Sequence, residues 1–173
     1  MRAFIALPLP EGRRKALLAE MSRIERRFPG SGRFSRPGNL HLTLAFLGEI
    51  PQASAAELAA ALARIPAERL RFTFRGLGTF SSARILWMGL EEEGELCGMA
   101  AAARRVLDSL GIAYDRKPFR AHVTLARDWR GPRIEELGNF VEKNEPEPAS
   151  ARPLLFESAR DAAGRVLYRP VSG

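Results

Sequence analysis

His41-Leu42-Thr43-Leu44-Ala45 and His122-Val123-Thr124-Leu125-Ala126 hold the chain's only two histidines, each followed by an aliphatic residue and then Thr-Leu-Ala. A shuffled chain would almost never surround both histidines alike, so the pair reads as an internal repeat. In an extended strand, side chains at i and i+2 share a face while i+1 and i+3 occupy the other. His41 with Thr43, and His122 with Thr124, are therefore expected on one face, while Leu42, Leu44, Val123 and Leu125 sink into a core. Packing asks only for those aliphatic positions and has no use for His and Thr on the outer face, so the repeat points to chemistry.

The flanking segments alternate strand and helix. A strand over Arg2–Leu7 precedes an amphipathic helix from Glu11 to Phe28, with Leu17, Met21, Ile24 and Phe28 on one face and arginines opposite. A Pro/Gly/Ser-rich loop, Pro29 to Asn39, leads into the first repeat strand, Leu40–Leu47, which stops at Gly48 and Pro51. Ser54 is the expected cap of a helix from Ala55 to Arg64, with Glu57 three residues on. Strands Leu70–Leu77 and Arg84–Leu90 then read as a hairpin about a Gly78–Ser82 turn region. A long helix from Gly94 to Leu110 is ended by Gly111, and the loop Tyr114–Pro118 introduces the second repeat strand, Phe119–Arg127. A helix near Ile134–Glu142, a Glu/Pro-rich loop Glu145–Pro153, and strands Leu154–Ala159 and Val166–Val171 about the Ala163-Gly164 turn complete the pattern.

Strand and helix recur in comparable order around the two repeat strands. The expected fold is therefore α+β: two pseudo-twofold-related lobes of antiparallel sheet, helices outside, and a groove between them. The lobes interleave if the first and last strands pair, so residues 1–173 are expected to form a single bilobal domain.

Composition bounds the function. With 173 residues, 46% hydrophobic and 27% charged, the chain has the size and balance of one ordinary folded domain, which excludes a large multidomain machine and suggests neither disorder nor a fibrous architecture. The one cysteine, Cys97, rules out an internal disulfide and leaves no Cys/His cluster for structural zinc, so a reducing cytoplasm is the expected location. Its place inside a helix suggests a small buried thiol. The opening MRAFIALPLP is too short for a secretory h-region and reads as a first strand, and no apolar stretch is long enough to span a bilayer. Net charge is +7 and 24 of the 27 basic residues are arginine, which suits bidentate contacts to phosphate. A solvated arginine-biased surface has the same composition, so the charge alone does not name a partner.

Two imidazoles facing each other across a groove suit phosphodiester cleavage. One neutral ring accepts a proton from water while a protonated partner supplies one to the leaving oxygen. Thr43 and Thr124 stand where their hydroxyls donate to non-bridging phosphate oxygens. Catalytic zinc takes three protein ligands, and threonine is a poor substitute for a third histidine, so the expected chemistry uses no metal. No G-x-S-x-G elbow, P-loop or dinucleotide fingerprint occurs, so no cofactor is expected either.

The ordered set RAFIALPLP, Pro37-Gly38-Asn39-Leu40-His41-Leu42-Thr43-Leu44-Ala45-Phe46-Leu47-Gly48, Gly76-Leu77-Gly78 with Leu86-Trp87, Phe119-Arg120-Ala121-His122-Val123-Thr124-Leu125-Ala126-Arg127 and Leu155-Phe156-Glu157-Ser158 resembles the 2H phosphoesterases. Within them it is similar to the bacterial and archaeal RNA 2′,3′-cyclic phosphodiesterases once called 2′-5′ RNA ligases. The resemblance implies a bilobal fold and metal-independent hydrolysis of RNA 2′,3′-cyclic phosphate ends to 2′-phosphomonoesters; a monomer is expected, although nothing in the sequence fixes the oligomeric state. It implies His41 as the acid for the 3′ oxygen and His122 as the base for water, an order that near-symmetry allows to be reversed. It further implies that Thr43, Thr124 and Arg127 hold the phosphate.

Strict strand parity places Arg127 opposite His122, so a strand end or a bulge must turn it inward, with a plain surface arginine as the alternative. Arg120 shares the His122 face and is a second candidate. Phe34 stands where the family often has tryptophan, and Ala121 where it often has proline. Phe34 and Phe119 are expected to pack in the core, with the groove lip as the alternative role. Two rival functions stay open: reversible 2′-5′ joining of RNA ends in the same groove, and a non-catalytic RNA- or nucleotide-binding module.

Overall fold

The computed structural model describes residues 1–91, 94–140 and 146–172, and each repeat strand forms part of a separate four-stranded antiparallel sheet. The chain runs β1 (Arg2–Pro8), α1 (Glu11–Arg27), β2 (Arg33–Phe34), β3 (His41–Glu49), α2 (Gln52–Ala63), β4 (Glu68–Leu70), β5 (Phe74–Phe80), β6 (Ile85–Leu90), α3 (Glu95–Ser109), β7 (His122–Arg127), α4 (Ile134–Leu137), β8 (Ala149–Ala151), β9 (Leu154–Arg160) and β10 (Val166–Pro170). One sheet has the order β10-β9-β1-β3, the other β2-β7-β6-β5, and β4 pairs with β8 apart from both. The repeat strands β3 and β7 come into contact across the two sheets. This is the α+β, two-sheet arrangement that the repeat implied. The C-terminal hairpin β9–β10 completes the sheet begun by β1, so the lobes interleave.

The helices pack by apolar stripes at helical spacing: Leu17, Met21 and Ile24 on α1, Leu58 and Leu62 on α2, and Leu96, Met99, Ala103 and Leu107 on α3. These join the inner faces of both sheets in one buried cluster that includes Leu42, Leu44, Val123 and Leu125. Each such aliphatic side chain contributes about 1.5–3 kcal/mol by leaving water.

Several local expectations change. The run from Leu70 divides: Leu70 ends β4 opposite Ala149, and Phe74 begins β5 opposite Leu90. Leu70, Phe72 and Phe74 keep one alternating buried face throughout, so hydropathy cannot register the change of hydrogen-bonding partner. The loop 29–39 contains β2, whose Arg33 and Phe34 pair with Arg127 and Ala126, a bridge too short to show periodicity. Ser54 caps nothing: Pro51, with φ −62°, sits at the N-cap and α2 starts at Gln52. The second repeat strand begins at His122 instead of Phe119. Cys97 is exposed, because it falls beside the Leu96/Met99/Ala100 stripe on the outer side of α3. Gly111 follows α3 with φ +64°, as a helix-ending glycine should. Helix α4 ends at Leu137, and the expected end at Glu142 lies outside the described residues.

Candidate active site

Both repeat strands are bulged at the same place. On β3, Ile5 pairs with Ala45 and Ala6 with Thr43, leaving Leu44 as the extra residue. On β7, Leu86 pairs with Ala126 and Trp87 with Thr124, leaving Leu125 as the extra residue. A bulge puts two successive side chains on one face. Leu44 and Ala45 are thus both buried, as are Leu125 and Ala126, and the next residue returns to the His/Thr face. That next residue is Phe46 in one strand and Arg127 in the other. The bulge is therefore the device that brings Arg127 onto the side of His122 and Thr124. It also reveals Phe46, which the sequence reading missed although the hexapeptides HLTLAF and HVTLAR place it in register with Arg127.

The two imidazoles are anchored alike. His41 Nδ1 donates to the carbonyl of Asn39 at 2.7 Å, and His122 Nδ1 donates to the carbonyl of Arg120 at 2.8 Å, in each case two residues upstream. A carbonyl only accepts, so each ring carries its hydrogen on Nδ1 and keeps Nε2 as the basic nitrogen. The Thr43 hydroxyl donates to His41 Nε2 at 3.1 Å. Asn39 also bonds β10 through its side chain, giving its amide to Val166 O at 3.0 Å and taking the Tyr168 N–H at 3.3 Å. The turn that holds His41 is thereby tied to the far edge of the sheet.

Their surroundings differ. His41 lies 4.7 Å from the Phe4 ring, 5.0 Å from Tyr168 and 6.3 Å from Phe156 by ring centroids. Burial in this aromatic box pushes its pKa down from 6.5 to about 4; the Asn39 bond opposes the shift, and the charges of Arg127 and His122 add to it. His122 meets the edge of Phe80 at 5.1 Å and lies 6.2 Å from Trp87. Trp87 lies against Gly78, where an added Cβ would overlap the indole.

The groove consists of adjoining hollows. One, of about 520 Å³, is lined by Thr43, Phe46, Phe119, His122, Thr124 and Arg127. A second, of about 430 Å³, takes in His41, Thr124 and Arg127 together with Phe34, Tyr168 and several arginines. A third, of about 350 Å³, lies beside His122 with Trp87, Arg75 and Arg120. Thr124 and Arg127 join the first two hollows, and His122 joins the first to the third. Every site residue expected from sequence is thus at one groove. Arg120 borders it too and supplies the carbonyl for His122. Phe34 and Phe119 each line a hollow while also packing against the core. Among the described residues Arg127 forms no ion pair, and no three His, Cys, Asp or Glu side chains gather as a metal-ligand set.

Residues 7–87 match the family described as LigT like phosphoesterase. The chain is 34% identical to the RNA 2′,3′-cyclic phosphodiesterase of Archaeoglobus fulgidus, over 83% of this chain and 80% of that protein. It is 32% identical to that of Thermotoga maritima, over 97% and 94%. The match to the Geobacillus stearothermophilus enzyme of the same name, at 36% identity, takes in 74% of this chain but only 42% of that longer protein. Among solved structures, Escherichia coli LigT complexed with 3′-AMP superposes with a TM-score of 0.72 at 28% identity, covering 99% of this chain and 95% of that one. A Thermus thermophilus protein gives 0.71 at 27% identity, covering 99% and 96%. With a whole-chain match in fold, a relative matched over nearly its full length and the doubled bulged motif in place, the chain belongs to the LigT-like 2H phosphoesterase family.

Proposed function

We propose that residues 1–173 act as one catalytic unit that hydrolyses RNA 2′,3′-cyclic phosphate ends to 2′-phosphomonoesters, as a monomer and without metal or cofactor. The observation that carries this reading is the pair of identically bulged H-x-T-L strands, each with its histidine held by a main-chain carbonyl at Nδ1 so that Nε2 is the basic nitrogen. The names of the relatives agree with it, and a neighbour solved with 3′-AMP supports a nucleotide as ligand.

The cyclic phosphate sits between the lobes. The hydroxyls of Thr43 and Thr124 donate to its non-bridging oxygens, and the Arg127 guanidinium takes the charge that grows on them. Phe46, 50% exposed in the hollow it shares with Phe80 and Phe119, offers a face on which the terminal base stacks. The base leaves the ribose at C1′, beside O2′, while the 5′ arm leaves at C4′, beside O3′. With the base over Phe46, O3′ is directed toward the His41 side. Water attacks phosphorus in line with the departing O3′, His122 Nε2 takes the water proton, the P–O3′ bond breaks, and protonated His41 gives its proton to O3′. The products are a 2′-phosphomonoester and a free 3′ hydroxyl.

The test is product analysis on an RNA oligonucleotide ending in a 2′,3′-cyclic phosphate, with and without a 5′-hydroxyl partner RNA, in excess chelator. The expected product is the 2′-phosphomonoester at an unchanged rate. Loss of turnover in chelator would refute the metal-free reaction, net joining would replace hydrolysis by ligation, and tight binding without turnover would make the protein a binding module.

A further inference from the structure

We propose that the arginine-lined hollow beside His41 binds the first internal phosphate of an RNA strand, so that oligonucleotide ends are processed in preference to cyclic mononucleotides. This rests on the phosphodiesterase reading and adds a subsite to it.

The hollow of about 430 Å³ opens from the catalytic groove through His41, Thr124 and Arg127, and its outer wall carries Arg36, Arg160 and Arg165. Asp161 organises that wall. Its Oδ1 accepts the main-chain N–H groups of Ala163 at 3.0 Å and Arg165 at 2.9 Å, which fixes the turn between β9 and β10. Its Oδ2 accepts Arg36 Nη1 and Arg165 Nε, both at 3.0 Å. These bonds hold the Asp161 carboxyl down to a pKa of about 2, so the brace is charged under all ordinary conditions. One carboxylate thus holds two guanidinium groups side by side, and each, with five N–H donors, keeps others to offer. Arg160 is steadied by a bond to the Gly164 carbonyl at 2.7 Å and, among the described residues, has no carboxylate partner. Cations outnumber their acidic partners around an open hollow, and like charges so gathered repel unless an anion enters.

Ribose chemistry says which anion. With the cyclic phosphate between the histidines and the base on the Phe46 side, C4′ and its 5′ oxygen are directed to the opposite side, where this hollow lies. The group borne there is an internal phosphodiester in an RNA strand and a bare hydroxyl in a cyclic nucleoside. Only the strand repays the ordered arginines. The hollow on the Phe46 side also carries Arg104, Lys117 and Arg120, with Asp115 beside them, and the one beside His122 carries Arg75 and Arg120; Arg75, which does not line the hollow beside His41, supplies the control.

The experiment compares kcat/KM for a 2′,3′-cyclic mononucleotide and for a trinucleotide ending in the same cyclic nucleotide, using the parent chain, Arg160→Ala, Arg165→Gln and Arg75→Ala. The parent is expected to prefer the trinucleotide. Arg160→Ala and Arg165→Gln should each lose about tenfold on the trinucleotide and stay within about twofold on the mononucleotide, whose turnover also reports that the variant is folded. The salt dependence of the trinucleotide reaction should flatten by about 0.7 in log–log slope for each phosphate contact removed. No preference in the parent, equal losses on both substrates, or a loss confined to Arg75→Ala overturns the subsite. Mononucleotide turnover without trinucleotide preference removes the subsite alone, whereas turnover of neither substrate removes the phosphodiesterase reading and the subsite with it.

Discussion

His41 and His122 share a motif and an anchoring bond, yet one lies in a box of Phe4, Phe156 and Tyr168 and the other is flanked by Phe80 and Trp87. The box holds His41 neutral in the empty groove until the pH falls to about 4. In an acid–base pair the low-pH limb of kcat/KM follows the lower of the two pKa values of the free enzyme, so that limb is expected near 4. A bound phosphate anion favours the imidazolium and raises its pKa, so the corresponding limb of kcat should lie at higher pH than that of kcat/KM. Rate–pH curves check both statements, and a kcat/KM limb at an ordinary histidine value of about 6.5 would contradict them. Phe46 makes a separate prediction at this scale. Phe46→Ala should weaken cyclic-nucleotide turnover about tenfold, consistent with about 1–3 kcal/mol for base stacking, with little change in unfolding free energy because the ring is exposed. An unchanged rate would remove it from the site.

At the scale of elements, the bulges at Leu44 and Leu125 explain both what the sequence made legible and what it did not. Period-two alternation is enough to put His41 with Thr43 and His122 with Thr124 over a buried aliphatic face. It fails one residue later, because an extra residue in one strand is visible only against the register of its neighbour. Arg127 was therefore reached through family resemblance, with the need for a bulge stated, and Phe46 was not reached at all. The split of Leu70–Leu77 and the two-residue β2 were hidden for the same reason, since pairing partners leave no mark on hydropathy. Gly78 tests how far an element positions the site. Its replacement by alanine would drive Cβ into the Trp87 indole beside His122, so Gly78→Ala should cost about 1–3 kcal/mol in denaturant unfolding and lower kcat. Stability and kcat equal to the parent's would show that Trp87 is free to move without consequence.

Over the whole molecule, a repeat of five residues implied two lobes, and the lobes are there as two sheets meeting along β3 and β7. Sheet order was beyond the sequence, because the return of β9 to the edge of β1 depends on contacts far apart in the chain. Near-symmetry gives each sheet one histidine anchored through Nδ1 to a main-chain carbonyl two residues upstream. Its breaking, with Phe46 matched against Arg127 and a phenylalanine-bearing hollow against one walled by Arg36, Arg160 and Arg165, is what would give the proposed substrate a direction. The proposed reaction requires that the two rings act together on one phosphorus. Its most direct test is the turnover of an RNA 2′,3′-cyclic phosphate by His41→Ala, His122→Ala and the double variant, each shown to be folded. If the rings work as a unit, each single replacement should cost at least about 10²–10⁴-fold and the double little more than either. Parent-like turnover in either single variant, or losses that multiply in the double, would contradict it.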